Sequence, residues 1–410
     1  MTDARWSPDG STVSSVAAGE YLSFFEADPT LVLQQQYYDN ESIKPYQDNS
    51  KTKGVYDYDI EFGTNEFRTG LSALYTWHMG STVIDSMWYP FMNRADPASC
   101  CYITACRDKP IHLWSFDPNE RHEVCSPNSN LSSKERMPVS RCSYRCYNQY
   151  DEIETCQALA FNSTGDKIYA CTKNLIRVFD VNRPGRDCVS MPTTRFKRDP
   201  MPTLKGLISS VVFSPDPSSK IYSCGTYSNN LAVFVEGSAE SVLMLHDVPV
   251  GGGITCQRWS PNGNHLWIGG RRSNDIICYD LRFSRGELGR VTRQLSTNQR
   301  LAFDMDPWGT YLATGSQHGE LLIYDANHFN VAYSAGSNTG MDCTNSVMFH
   351  PHSALLCMST GQRKYTIELE DSNEVLSPHA GHSNQHDCLL RNSGLRLAMM
   401  SHQKLTYLST

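Results

Sequence analysis

Long apolar runs are missing from this 410-residue chain. No window approaches the roughly 18 consecutive apolar residues that a membrane-crossing helix requires. The opening residues, "MTDARWSPDG", show no basic segment leading into an apolar core, so neither a leader nor a membrane anchor is expected. A cationic excess is missing too. The formal net charge is −7, which excludes a general attraction to nucleic acid and leaves only local features to supply one. There is no Walker A loop, no G-x-S-x-G elbow and no H-E-x-x-H pair, so no catalytic constellation, cofactor or small-molecule substrate is expected. Cysteine is plentiful, at fifteen, but it lacks regular spacing. Several cysteines sit inside strand-like runs, as Cys171 in "IYACT", Cys224 in "IYSCG" and Cys278 in "IICYD". That is how a small apolar side chain is used in a reducing interior, not a disulfide framework. With 40% hydrophobic and 19% charged residues the chain can build a large core, and the expectation is a soluble, intracellular globular protein.

What the chain does have is a repeat. An apolar run ending in an aromatic, then Ser-Pro-Asp-Gly or a relative of it, recurs seven times: at Trp6, Trp88, Phe161, Phe213, Trp259, Phe303 and Phe349. The last four prolines of the pattern, Pro215, Pro261, Pro307 and Pro351, are spaced by 46, 46 and 44 residues. This is close to the roughly 40 to 45 residues of a WD-type repeat, whose unit is a four-stranded blade. Pro presets its own φ and Gly accepts a positive one, so the turn closes tightly and fixes the register of the flanking strands. A second run follows ("YLATGS", "HLWIGG"), then a polar loop, then a third run ending in an aromatic and often Asp ("IRVFDV", "IICYDLR", "LLIYD"). A single blade leaves apolar faces on both sides, and a closed ring buries them. The prediction is an all-β, seven-bladed WD40-type propeller spanning 1–410 as one domain. Long loop insertions are expected at about 26–80, 117–150 and 365–387, where the composition cannot bury much apolar surface. Two further runs, "LRLAMMS" and "KLTYLST", are expected to complete the last blade from the C-terminal side.

In such a ring, with strands a to d running from the axis outward, the d–a and b–c loops share one face. The unusual polar residues sort onto it: Arg107 of "RDKP", Lys173 of "CTKN", Arg271 and Arg272 of "GGRRSND", Asn298 and Arg300 of "TNQR", and Arg363 of "GQRK". An acidic protein thus carries a ring of cations around one mouth. Arginine joins charge, forked hydrogen bonding and a stacking plane, which suits phosphate and exposed bases. The alternative reading is that b–c loops are polar in any case and that some of these side chains tie neighbouring blades together.

The combination of "RDKPIHLW", "YNQYDEIETCQALAF", "NRPGRDC", "GGITCQRWSPNGN", "GGRRSNDIICYDLR", "STNQRLAFDMDPWG", "DCTNSVMFHP" and "TGQR", in this order, resembles the telomerase Cajal body protein family of WD-repeat proteins. The resemblance implies a nuclear, Cajal-body protein that binds the CAB box of small Cajal body RNAs and, in some lineages, telomerase RNA. It also implies association with box H/ACA ribonucleoprotein proteins. Arg183 and Arg186 of "NRPGRDC" match as well but follow strand c, so a structural or protein-docking role is expected of them. Gly315 of "YLATGS" ends a strand b, where glycine permits close backbone approach, and is read as structural.

Three other features were weighed. His379, His382, His386 and Cys388 offer nitrogen and sulfur donors, but no paired-ligand knuckle flanks them and no metal is expected. "VGGGIT" precedes a strand and not a helix, so it reads as a turn and not a phosphate cradle. "YDLR", Tyr279 to Arg282, resembles the box of WD-repeat substrate receptors of cullin ubiquitin ligases, which makes a protein-interaction adaptor the rival function.

Overall fold

Every element among the described residues of the computed structural model is a β-strand, and the strands join into seven four-stranded antiparallel sheets. The described residues are 3–17, 19–27, 71–116, 140–194, 203–283, 286–335, 342–353, 355–361, 395–400 and 405–409. Within each sheet the strands follow chain order, the pattern that short hydrophobic runs separated by tight turns dictate. Sheet 1 is built from Asp3–Trp6, Thr12–Ala17, Tyr21–Ala27 and Leu71–His78. Sheets 2 to 6 draw on residues 83–144, 158–192, 208–245, 254–292 and 303–335, and sheet 7 on 344–409. No helix among the described residues is long and apolar enough to cross a membrane.

The first strands of successive sheets lie side by side, and side chains stitch them together. Arg5 of sheet 1 meets Asp85 of sheet 2 at 2.8 Å, and the other oxygen of Asp85 accepts the Leu159 N–H of sheet 3 at 2.9 Å. Sheets 3 and 4 share a core that includes Ala160, Tyr169, Val211 and Tyr222. Gln257 of sheet 5 donates to the Ser210 hydroxyl of sheet 4 at 2.5 Å. Arg258 meets Asp304 of sheet 6 at 2.8 Å, and Asp304 accepts the Phe349 N–H of sheet 7 at 3.0 Å. Burial works against the charge on Arg5, but Asp3 and Asp85 more than offset it and raise its pKa. The arrangement is an all-β propeller.

The repeated aromatic has a visible task. Trp6, Trp88, Phe161, Phe213, Trp259 and Phe349 each end the first strand of a sheet. The three tryptophans each donate the indole N–H to a carbonyl of the preceding sheet: Trp88 to Arg5, Trp259 to Val212 and Trp6 to Met348. Sheet 6 departs from the pattern, because its first strand is Phe303–Met305 and the aromatic begins it. Phe303 instead packs over Gly269 of sheet 5, where a Cβ would come 2.8 Å from its ring.

Two expected insertion boundaries are corrected. Residues 71–78 of the 26–80 segment form the outer strand of sheet 1, and 140–144 of the 117–150 segment form that of sheet 2. Both runs carry enough apolar residues to pack despite polar neighbours: Trp77 sits edge-on to Phe24 at 4.7 Å, and Tyr144 is fully buried. Residues 26–27 end the third strand of sheet 1, and 79–80 and 145–150 belong to the connections that follow the two outer strands; 28–70, 117–139 and 365–387 lie outside the described residues. Leu395–Met400 and Leu405–Ser409 complete sheet 7, as their apolar runs suggested. Sheets 1 and 7 therefore meet without exchanging a strand. Their seam is held by Ala4 N–H to Ser346 Oγ at 2.9 Å and by two histidines, His350 to the Gly10 carbonyl and His352 to that of Pro8.

Candidate nucleic-acid interface

The b–c turns of sheets 1 to 6 reverse the chain in three to five residues, each through one described residue with positive φ. Sheets 1 to 6 place Gly19, Asp108, Asn174, Asn229, Arg272 and Gly319 at this corner. Glycine, Asn and Asp tolerate the left-handed region; arginine gains nothing there. Arg272, at φ 53°, is therefore the exception in the series. The d–a connections fold onto these turns from the neighbouring sheet. Arg107 N–H donates to Thr82 at 2.9 Å, Asn174 N–H to Gly206 at 3.0 Å, Arg271 N–H to Gly253 at 3.1 Å and Gln317 N–H to Gln294 at 3.0 Å. These backbone bonds gather both loop sets on one face. On the other face the a–b turns meet one another: a Cβ on Gly309 would lie 3.0 Å from Pro261.

Arg107, Lys173, Arg272, Asn298 and Arg300 are exposed on the gathered face, and Arg271 is half-buried. The guanidinium of Arg271 lies 4.0 Å from the ring centroid of Tyr227, which belongs to the b–c turn of sheet 4. Asn229 of the same turn donates to the Gly251 carbonyl at 2.8 Å, and Gly252 N–H donates to the Arg271 carbonyl at 2.7 Å. "VGGGIT" is thus the connection that binds the two turns together before strand Ile254–Trp259. A side chain on Gly253 would meet the Tyr227 backbone at 2.7 Å, so the close approach needs glycine.

The segment "TNQR" divides its labour. Its loop is rooted by Leu295 and Leu301, which form a small buried cluster with Cys343. Beneath it Arg293 is buried, giving hydrogen bonds to Thr314 Oγ1 at 2.8 Å and the Leu301 carbonyl at 3.1 Å, and burial pushes its pKa down to about 10. Gln299 reaches sheet 7, donating to Asn345 Oδ1 and to the Gly361 carbonyl. Asn298 and Arg300 are left facing solvent. Sequence reasoning missed Gln299 and Tyr227. Tyr227 had a weak signal, a lone aromatic in a polar turn; the partner of Gln299 lies in another sheet and had none.

The arginines of this face differ from most of the others in their pairing. Arg5, Arg94, Arg177, Arg186, Arg258, Arg282 and Arg290 each meet a carboxylate. Among the described residues, Arg107, Arg271, Arg272 and Arg300 make no ion pair and no side-chain hydrogen bond; Arg145, in the connection from sheet 2 to sheet 3, and Arg183, in the c–d turn of sheet 3, share that property. Arg186 lies over the Tyr147 ring at 4.6 Å and meets Asp151 at 2.6 Å, joining the c–d turn of sheet 3 to the connection that enters that sheet. Arg282 of "YDLR" is taken up by Asp280 at 2.7 Å, which holds that carboxyl down to about 2. A Cβ on Gly315 would come 2.5 Å from Thr344 Cγ2 of sheet 7 and closer still to the Thr344 carbonyl oxygen. Arg363, His379, His382, His386 and Cys388 lie outside the described residues, among which no His, Cys, Asp or Glu cluster could hold a metal.

A propeller of consecutive four-stranded sheets with these anchors places the chain among the WD-repeat β-propeller proteins. No family model matches it. Within the class it is similar to telomerase Cajal body protein 1 of Bos taurus, at 28% identity over 380 residues, 91% of this chain and 60% of that protein. The Drosophila melanogaster homolog is 29% identical over 72% of this chain and 49% of its own length. A protein of Schizosaccharomyces pombe, named guanine nucleotide-binding protein negative regulator 1, is 25% identical over 90% of this chain and 82% of its own. The chain spans about 60% of the length of the bovine relative, so the resemblance read from the motifs extends along nearly all of this chain and leaves about two fifths of that one unmatched.

Proposed function

We propose that the seven sheets are the blades of one closed WD-type ring spanning 1–410, and that the ring is a non-catalytic scaffold binding RNA through the face that carries Arg107, Lys173, Arg271, Arg272, Asn298 and Arg300, with Arg363 alongside. The observation that carries this reading is the set of unpaired cations gathered on one face of an acidic protein. A guanidinium held at a surface without a carboxylate is ready for a phosphate or a base, since binding need not first break an ion pair. The ligand class proposed is the CAB box of small Cajal body RNAs, with telomerase RNA as a candidate; relatives named for telomerase and the Cajal body support a ligand of that setting. The setting is the nucleus and its Cajal bodies, in the company of box H/ACA ribonucleoprotein proteins.

One observation favours a second reading. The S. pombe relative, matched over most of both chains, is named for regulation of a guanine nucleotide-binding protein, which suits a protein-binding propeller. Crosslinking the protein in cells and sequencing the bound RNA separates the two. Enrichment of box H/ACA RNAs supports the first reading. Recovery of a G-protein component or a cullin adaptor with background RNA only would reject it.

A further inference from the structure

The RNA reading leaves open how the face engages a base, and the seam between sheets 4 and 5 answers it. We propose that Tyr227, Arg271 and Arg272 form a stacking platform, assembled before the ligand arrives, that takes one unpaired nucleotide: its base on Arg271 and its phosphate on Arg272. The proposal rests on the RNA reading of this face.

Three observations converge on this spot. First, Arg271 is already placed. Its guanidinium lies 4.0 Å from the Tyr227 ring centroid, and its backbone is fixed by two hydrogen bonds to the glycine connection. An arginine plane covered on one side by an aromatic ring can take a base on the other, and the rotamer freedom it would otherwise lose on binding is already gone. Second, the backbone that carries the Tyr227 ring is itself held in place. It sits against the Gly253 backbone, and its N–H donates to the Leu207 carbonyl at 3.1 Å. Third, the next residue occupies a backbone conformation that its type disfavours. Five of the six corners described are Gly, Asn or Asp; only this one is arginine, at φ 53°. Strain kept where a better residue is sterically available marks a position whose side chain is needed for something besides folding. Arg272 is exposed and unpaired among the described residues, which suits contact with a phosphate.

Tyr227 is on this account a positioning residue, and Arg271 and Arg272 are the contacting ones. The test is a titration of the full-length protein with a fluorescent CAB-box hairpin RNA and a set of hairpins carrying one abasic site at each loop position in turn, with thermal melts alongside. For the parent, one abasic position should weaken binding by about tenfold, the scale of one stacked base. Tyr227→Ala should lose about five- to thirtyfold on the intact hairpin and become indifferent to that abasic site, whereas Tyr227→Phe should bind within about twofold of the parent. Arg272→Asn should bind more weakly yet melt about 1 to 2 °C higher, because relief of strain and loss of a contact act in opposite directions. Should Tyr227→Ala melt below the parent, Arg271→Gln carries the same abasic comparison in a turn left intact. If Tyr227→Ala binds like the parent while Arg271→Ala does not, the platform is wrong and the RNA reading stands. If Arg271→Ala and Arg300→Ala also bind like the parent, both fail. An Arg272→Asn variant that melts lower, or keeps full affinity, removes Arg272 from the platform.

Discussion

The arginines near the ring axis and those at the mouth obey opposite rules. Around the axis, Arg5 and Arg258 are half-buried, and each is matched by an aspartate of the neighbouring sheet. At the mouth, Arg107, Arg271, Arg272 and Arg300 have no carboxylate partner among the described residues. The contrast follows from where each charge must do its work. A guanidinium withdrawn from water without a counter-charge is costly, as the lowered pKa of Arg293 reflects; Arg5 and Arg258 escape that cost through aspartates that also fix how adjacent sheets dock. A solvated guanidinium needs no partner, and giving it one would spend the group before a ligand arrived. The net charge of −7 strengthens the point, because carboxylates are abundant and yet none among the described residues pairs with these side chains.

The largest expected effect tests the structural side. Gly315→Arg places a side chain against the Thr344 backbone, which cannot retreat without moving sheet 7, and should destabilise the protein by about 4 kcal/mol or more. Chemical denaturation measures this, and a midpoint equal to the parent's would refute the close approach. Arg258→Ala comes next. It strands Asp304, whose pKa burial already raises against the pull of Arg258, and should cost about 3 to 5 kcal/mol while leaving RNA affinity per folded molecule unchanged.

The seam between sheets 1 and 7 sharpens the comparison, because it is held by a neutral group. His350 is buried against Trp6, donates from Nε2 to the Gly10 carbonyl at 3.1 Å and accepts the His352 N–H at Nδ1 at 3.0 Å. Burial pushes its pKa down to about 4 from the ordinary 6.5, with His352 adding to the shift and Asp9 opposing it. The unfolded chain therefore binds more protons between these values. His350 contributes its full stability above about pH 6.5 and loses it as the pH falls toward 4, by about 3 kcal/mol in all. His350→Gln should be less stable at pH 7 and show a correspondingly shallower loss on acidification; a parallel curve would deny the histidine its role.

Much of the fold was legible in the sequence. The aromatic and the Pro or Gly after it mark the end of a first strand in six sheets, and the three tryptophans among these anchors fix the spacing to the sheet before. The outer strands at 71–78 and 140–144 were hidden because an edge strand buries one face only and both adjoin polar segments. The candidate site was half-legible. Its loops could be assigned to one face from strand order alone, and its cations named. What sequence could not supply was pairing: that Tyr227 lies beside Arg271, that Gln299 reaches Asn345 and Gly361, and that Asp280 occupies Arg282. Each of the first two joins residues of different sheets, where no local period relates the partners.

Arg282→Ala marks the small end of the scale. Arg282 is exposed and its pair closes a c–d turn away from the mouth, so its loss should leave both the melting temperature and hairpin binding nearly unaltered. It is the control for the central claim that the unpaired arginines, and not arginines in general, bind the RNA. The direct measurement is a CAB-box hairpin titration of the parent, Arg271→Ala, Arg300→Ala and Arg282→Ala at two salt concentrations, with a thermal melt of each. The account predicts a loss of about 1 to 3 kcal/mol for Arg271→Ala and for Arg300→Ala with melting unchanged, no loss for Arg282→Ala, and a shallow salt slope, since few phosphates are engaged. Equal losses for all three variants, or none for Arg271→Ala and Arg300→Ala, would contradict it.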